Sequence, residues 1–152
     1  MTAFTTGTER FWNGPTHPFQ RNGKGDFSTA SGIDQLRAAI EQLLMTRGPD
    51  GQEVGELPWD TERGSRIHTL LHSTMPIETM QHVAGFYTAE VLRKYEPRIQ
   101  LRGVKVERFA SSNQPEDPHK NFVKIRVLFT PRAAGALSAT VEEAQVVARL
   151  EQ

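Results

Sequence analysis

The stretch Tyr95-Glu96-Pro97-Arg98-Ile99-Gln100-Leu101-Arg102-Gly103-Val104-Lys105-Val106 decides the fold, because the hydrophobic period changes inside it. Upstream, Met80, Val83, Ala84, Tyr87 and Val91 recur at helical spacing. Pro76 stands where a helix can begin, and Pro97 ends it, since the residue before a proline is pushed out of helical geometry. From Ile99 the period is two. Ile99 and Leu101 share one parity and Val104 and Val106 the other. That slip across Arg102-Gly103 predicts a bulge, with Gly103 tolerating the bend. After a turn-rich segment from Ser111 to His119, Val123, Ile125, Val127 and Phe129 alternate with Lys124 and Arg126. They predict a second strand, closed by Pro131.

Working outward, Ile33, Leu36, Ile40, Leu43 and Leu44 predict a first helix, capped by Ser31 or Asp34 and stopped by Gly48-Pro49. A Gly/Pro/acid-rich loop from Arg47 to Arg63 presents Leu57-Pro58-Trp59, and a short helix should run from Ser65 to Leu71. Between Thr2 and Gly32 there is no Ile, Leu or Val, yet Phe4, Phe11, Trp12, Phe19 and Phe27 are spaced along it. Residues 1–32 are therefore expected to form an extended arm. Its rings would act as anchors for pockets on this domain or on a neighbouring chain. At the other end, Thr140-Val141-Glu142-Glu143 reads as a capping box before a short helix through Leu150, within a tail of residues 133–152. The expected fold is α+β, a small single domain of about three helices packed on an antiparallel hairpin or sheet, centred on residues 33–132.

The chain has 152 residues, with 18 Lys and Arg against 18 Asp and Glu, and no cysteine. That length suits one core without disulfides, and cysteine chemistry is excluded. Balanced charge gives no case for nucleic acid, and no apolar run approaches a membrane span. No leader is legible, so assembly in the cytoplasm is expected. Charge is uneven, however. Between Tyr95 and Arg132 eight basic residues face four acidic ones, leaving ten against fourteen elsewhere. A basic two-stranded ribbon has two open edges. Its cations either guard those edges against aggregation or mark a docking edge for a partner's strand, and the sequence leaves both readings open.

Catalytic motifs are weak. His68 and His72 have the spacing of two metal ligands, but Thr69 stands where a zincin helix has glutamate, so they read as ordinary surface or half-buried histidines. Glu53/Glu56 and Asp60/Glu62 lie in a loop that cannot desolvate a carboxyl for glycoside hydrolysis. Ser65 lacks a nucleophile-elbow setting, and Gly23-Lys24-Gly25 lacks the strand and helix of a phosphate loop. No catalytic residue, metal or cofactor is expected. Glu96-Pro97-Arg98 is different: proline fixes an acid and a guanidinium at a rigid corner between helix and hairpin, suited to charge-assisted hydrogen bonds.

Several segments, in order, resemble the gene-25-like (GPW) baseplate wedge family. They are Gly25-Asp26 to Gly32-Ile33, Ile40 to Thr46, Leu57-Pro58-Trp59, Gly64-Ser65-Arg66-Ile67-His68-Thr69-Leu70-Leu71-His72, Tyr95-Glu96-Pro97-Arg98-Ile99 and the two strands. The family includes wedge proteins of contractile phage tails, TssE of type VI secretion and their counterparts in extracellular injection particles. The Glu-Pro-Arg triplet is its most recognisable mark. Members often run from a helix-ending Thr into a Gly-Glu-Arg turn. Here Arg47 to Val54 intervenes before Gly55-Glu56, and Leu57 replaces the Arg. The resemblance implies a structural, non-enzymatic adaptor, six copies per baseplate, carried in a phage-tail-like particle. Glu96, Pro97 and Arg98 would meet TssF- and TssG-like wedge proteins. The strands bearing Ile99, Leu101, Val104, Val106, Val123, Ile125, Val127 and Phe129 would take a sheath strand and start sheath polymerisation. The aromatic arm would reach a neighbour or the tube hub. The family has also been associated with lysozyme activity, so a peptidoglycan hydrolase at the baseplate is the rival expectation, without independent support from these residues.

Overall fold

The structure is a computed structural model that describes residues 13–15, 20–71, 73–110, 121–133, 136–137 and 141–149. Short strands β1 (Asn13–Pro15) and β2 (Thr29–Ser31) precede helices α1 (Gly32–Met45), α2 (Ile67–Leu71) and α3 (Ile77–Tyr95). The chain continues through β3 (Ile99–Ala110), β4 (Asn121–Ala133), the two-residue β5 (Ala136–Leu137) and β6 (Glu142–Arg149). The α+β expectation is met: three helices lie with an antiparallel sheet, in the strand order β3-β4-β6.

The helices form where the apolar spacing places them. Pro76 is the N-cap of α3 and Glu96 its C-cap, with the Glu96 N–H still bonded to the Leu92 carbonyl. Leu36, Ile40 and Leu43 of α1 and Met80, Ala84 and Val91 of α3 pack with Val123, Ile125, Val127 and Phe129 of β4 in one core. Each buried Val, Leu, Ile, Met or Phe side chain there contributes about 1.5–3 kcal/mol of apolar transfer. The bulge falls where the parity slips. Leu101 faces Phe129 and Gly103 faces Leu128, so Arg102 is the extra residue, and its Nε donates to Thr130 Oγ1 at 2.9 Å. Glycine is not demanded there: a Cβ on Gly103 would meet Leu128 Cδ1 only at 4.0 Å.

Three expectations are corrected. The tail expected to be helical holds a strand instead, β6, paired with β4 from Phe122↔Arg149 to Phe129↔Glu142. Ala144 and Val146 enter the core while Glu143, Gln145 and Val147 face outward, a period of two that tertiary packing imposes over local helix propensity. The ribbon is consequently a three-stranded sheet, and β4 is its centre. Finally, the described part of the arm is not extended. β1 and β2 pair antiparallel and pack against the start of α1. The connecting turn is held by Asn22 Oδ1, which accepts from the Lys24 and Asp26 N–H groups. Phe4, Phe11, Trp12 and Phe19 lie outside the described residues, and Phe27 is 66% exposed.

Candidate functional site: the Glu-Pro-Arg corner and the sheet edges

Proline 97 cannot donate a backbone hydrogen bond and fixes the chain between α3 and β3. Glu96 is thereby carried under the helix end, where it is 3% exposed, and Arg98 turns back over it. Arg98 Nε donates to Glu96 Oε1 at 2.6 Å and Nη2 to Oε2 at 2.7 Å. Its Nη1 donates to Gln35 Oε1 at 3.0 Å, which ties the corner to α1. Hydrogen bonding to Glu96 holds the Arg98 guanidinium above its already high pKa. The corner is thus a closed clasp whose carboxylate is fully occupied by its own chain. What it offers outward is the exposed ring of Pro97 and part of the guanidinium face. Beside it runs a groove of about 400 Å³ lined by Ala89, Arg93, Pro97, Gln100, Leu101 and Arg132. Gln100 Oε1 is buried there without a hydrogen-bond partner.

Gln35 is the member of the corner that sequence reasoning missed. It lies outside the apolar set Ile33, Leu36, Ile40, Leu43 and Leu44 that predicts α1, yet it is half-buried between Arg98 and the Gly14 backbone of β1. A side chain at position 14 would run into the Gln35 amide, so the small residue of β1 leaves room for it.

The strand residues divide. Val123, Ile125, Val127 and Phe129 are at most 1% exposed, and β4 is paired on one side by β3 and on the other by β6. β4 therefore has no edge for an incoming strand, which removes these four residues from a docking role and makes them core. β3, with Ile99, Leu101, Val104 and Val106, pairs only with β4 among the described residues, as does β6. The open edges are the outer ones. Basic charge on the sheet is also partly answered from within. Arg126 donates through Nε and Nη2 to both carboxylate oxygens of Glu143 and through Nη1 to Glu107 at 3.2 Å, joining all three strands. The bonds from Arg126, and then from Gln145, hold the Glu143 carboxyl down at about 2. Arg37 of α1 clips β6 in place through Glu142 Oε2 at 2.6 Å and the Glu143 carbonyl at 3.0 Å.

The loop between α1 and α2 is pinched shut by a backbone crossing. Gly48 N–H donates to the Ser65 carbonyl and Ser65 N–H to the Thr46 carbonyl. A Cβ on Gly64, which has φ +121°, would lie 2.6 Å from Thr46 O. Ser65 Oγ is buried and donates to Leu44 O at 2.7 Å, a structural and not a nucleophilic placement. Glu53 pairs with Arg47 at the exposed surface, and Glu56 and Glu62 are exposed, so the carboxylate pairs are solvated. His68 lies against Ser65 O and Asp50, while His72 is outside the described residues. Among the described residues no three acidic or histidine side chains converge on a metal-sized site, and no helix is long and apolar enough to cross a membrane.

A family model described as baseplate wedge protein gp25 matches residues 30–135, the span from β2 through the corner to the end of β4. The chain belongs to the gp25-like baseplate wedge family. This gp25-like chain also superposes on a chain in the cryo-EM structure of the anti-feeding prophage baseplate, six-fold symmetrised. The TM-score is 0.54 over 92% of this chain and 86% of that one, at 12% identity, a likeness of fold. The comparison with curated protein sequences gives no match. The gp25-like chain is accordingly a structural baseplate component, and β6 lies beyond the segment that the family model covers.

Proposed function

We propose that this baseplate component serves a contractile injection particle as the joint between wedge and sheath. The Glu96-Pro97-Arg98 corner would seat against TssF- and TssG-like wedge proteins through Pro97, the outer guanidinium face of Arg98 and the adjoining groove. The open edge of β3 would accept a strand from the first sheath ring. In doing so the domain would present the sheet that a sheath subunit offers to the next ring. Six copies per baseplate, made in the cytoplasm, would set the ring's symmetry, and the aromatic arm would reach a neighbour or the tube hub.

The observation that carries this reading is a rigid, internally satisfied corner placed at the start of a strand edge that has no partner among the described residues. A clasp already closed needs no rearrangement on docking, which limits the entropy lost on association. Each backbone bond added at the edge contributes only about 0.5–1.5 kcal/mol, so several per subunit are needed to fix a ring. Glycoside hydrolysis is poorly served by comparison: it needs a carboxylic acid desolvated opposite a second carboxylate. The deeply buried Glu96 is bonded to a guanidinium instead. Mixing the purified chain with wedge proteins and sheath protein tests the proposal. Sheath tubes should start from complexes containing the chain and be rare without it, and equal numbers in its absence would refute the role. A zymogram on peptidoglycan should stay blank.

A further inference from the structure

The loop from Arg47 to Arg63 carries a feature that neither the corner nor the sheet edge uses. Gly55 N–H donates to Thr61 O at 2.8 Å and closes a small ring of backbone, and within it Asp60 N–H donates to Leu57 O at 3.1 Å. Leu57-Pro58-Trp59-Asp60 is thus a β-turn with proline at its second position, where the fixed φ favours the turn. Trp59 sits at the apex and is 80% exposed.

The turn is firmly mounted. Glu56 N–H donates to Arg47 O, Tyr95 Oη donates to Glu62 O at 2.8 Å, and the Arg63 guanidinium lies 5.1 Å from the Tyr95 ring centre. Asp50 caps the loop's first turn by accepting from the Gln52 and Glu53 N–H groups, and those bonds hold its carboxyl down at about 2. An indole held out in water on a braced turn loses little conformational freedom when it is buried by a partner, which is the character of an interface anchor. The charge around it is net acidic. Asp50, Glu53, Glu56, Asp60 and Glu62 stand in this loop against Arg47 and Arg63, with Lys94 of α3 close to Asp60 and Glu62.

We propose that the Leu57–Asp60 turn is a second docking element, which seats Trp59 in an apolar slot rimmed by Lys or Arg on a different protein of the same assembly. This rests on the baseplate reading. The acidic collar selects a basic rim by charge complementarity and disfavours a second copy of the same acidic loop.

The experiment is hydroxyl-radical footprinting of the full chain, free and within purified baseplates, with Trp59 oxidation read by mass spectrometry. Trp59 should be protected at least about tenfold on assembly. Trp59→Ala, checked for folding by circular dichroism, should lower incorporation by about tenfold or more, with Trp59→Phe recovering part of it. Glu56→Lys with Asp60→Lys should also lower incorporation, whereas Glu78→Lys on α3 should not. A photo-crosslinker at position 59 should join a basic segment of another protein, and a crosslink to a second copy of this chain would overturn the choice of partner. Normal incorporation with Trp59 still oxidised at the free rate would overturn the anchor alone. Wild-type chain absent from baseplates would overturn the baseplate reading instead.

Discussion

The Arg98 guanidinium grips the Glu96 carboxylate through parallel bonds of 2.6 and 2.7 Å across a single intervening proline. Glu96 is almost wholly withdrawn from water while Arg98 keeps one third of its side chain exposed, so the pair has an inner and an outer member. The Glu96-Pro97-Arg98 triplet therefore does its first work inside the monomer. It fixes the angle between α3 and β3 and, through Gln35, the position of α1.

Arg98→Ala should leave that buried carboxylate without its partner and lower stability by about 2–4 kcal/mol, less than for a fully buried pair because the guanidinium is partly solvated. Glu96→Gln combined with Arg98→Gln should cost less than Arg98→Ala alone, since no charge is then stranded. Urea unfolding of these variants and of Glu96→Gln and Arg98→Gln alone checks this, and a double-variant loss equal to the sum of the two single losses would show that the two side chains act independently.

Glycine substitutions should separate geometry from mere sequence pattern. Gly64→Ala combines a φ of +121° with a backbone oxygen 2.6 Å from the new methyl, so it should destabilise by well over about 1 kcal/mol. Gly103→Ala meets open space at the bulge and should be neutral or stabilising by up to about 1 kcal/mol. Thermal melts of the two variants beside wild type decide it.

Acid should loosen the outer face of the sheet. The folded-state pKa of Glu143 is depressed from 4.5 to about 2, so its contribution is full above 4.5 and is lost as pH falls toward 2. Denaturant midpoints followed across that window should fall in wild type and fall less steeply in Glu143→Gln. Identical pH slopes would contradict the assignment.

Single prolines along Lys105, Val106 and Glu107 should divide by parity. A proline whose missing N–H lay in the β3–β4 ladder should weaken the fold, while one whose N–H faced outward should leave circular dichroism unchanged and stop sheath nucleation. Prolines that fold and nucleate at every position would exclude this edge.

Much of the fold was legible because strong periods coincide with proline boundaries. Pro76 and Pro97 bracket α3, and the parity slip across Arg102-Gly103 located the bulge to that pair of residues. The glycine beside it suggested a need for conformational freedom that the open space around Gly103 does not support. The end of the chain was misread because Thr140 to Glu143 carries cap-like chemistry, whereas burial of Ala144 and Val146 against β4 and the Arg37 clip come from residues far away in sequence. The corner's residues were visible, but its direction was not. Only the fold brings Gln35 to Arg98 and turns Glu96 inward, and a triplet cannot reveal which of its charges is buried.

Cryo-EM of the assembled baseplate, at a resolution that separates strands, tests the joint between domain and sheath most directly. The account predicts a fourth strand, traced to a sheath subunit, hydrogen-bonded along β3 of every copy. Density in which β3 borders only solvent while the sheath ring is fully seated would contradict it.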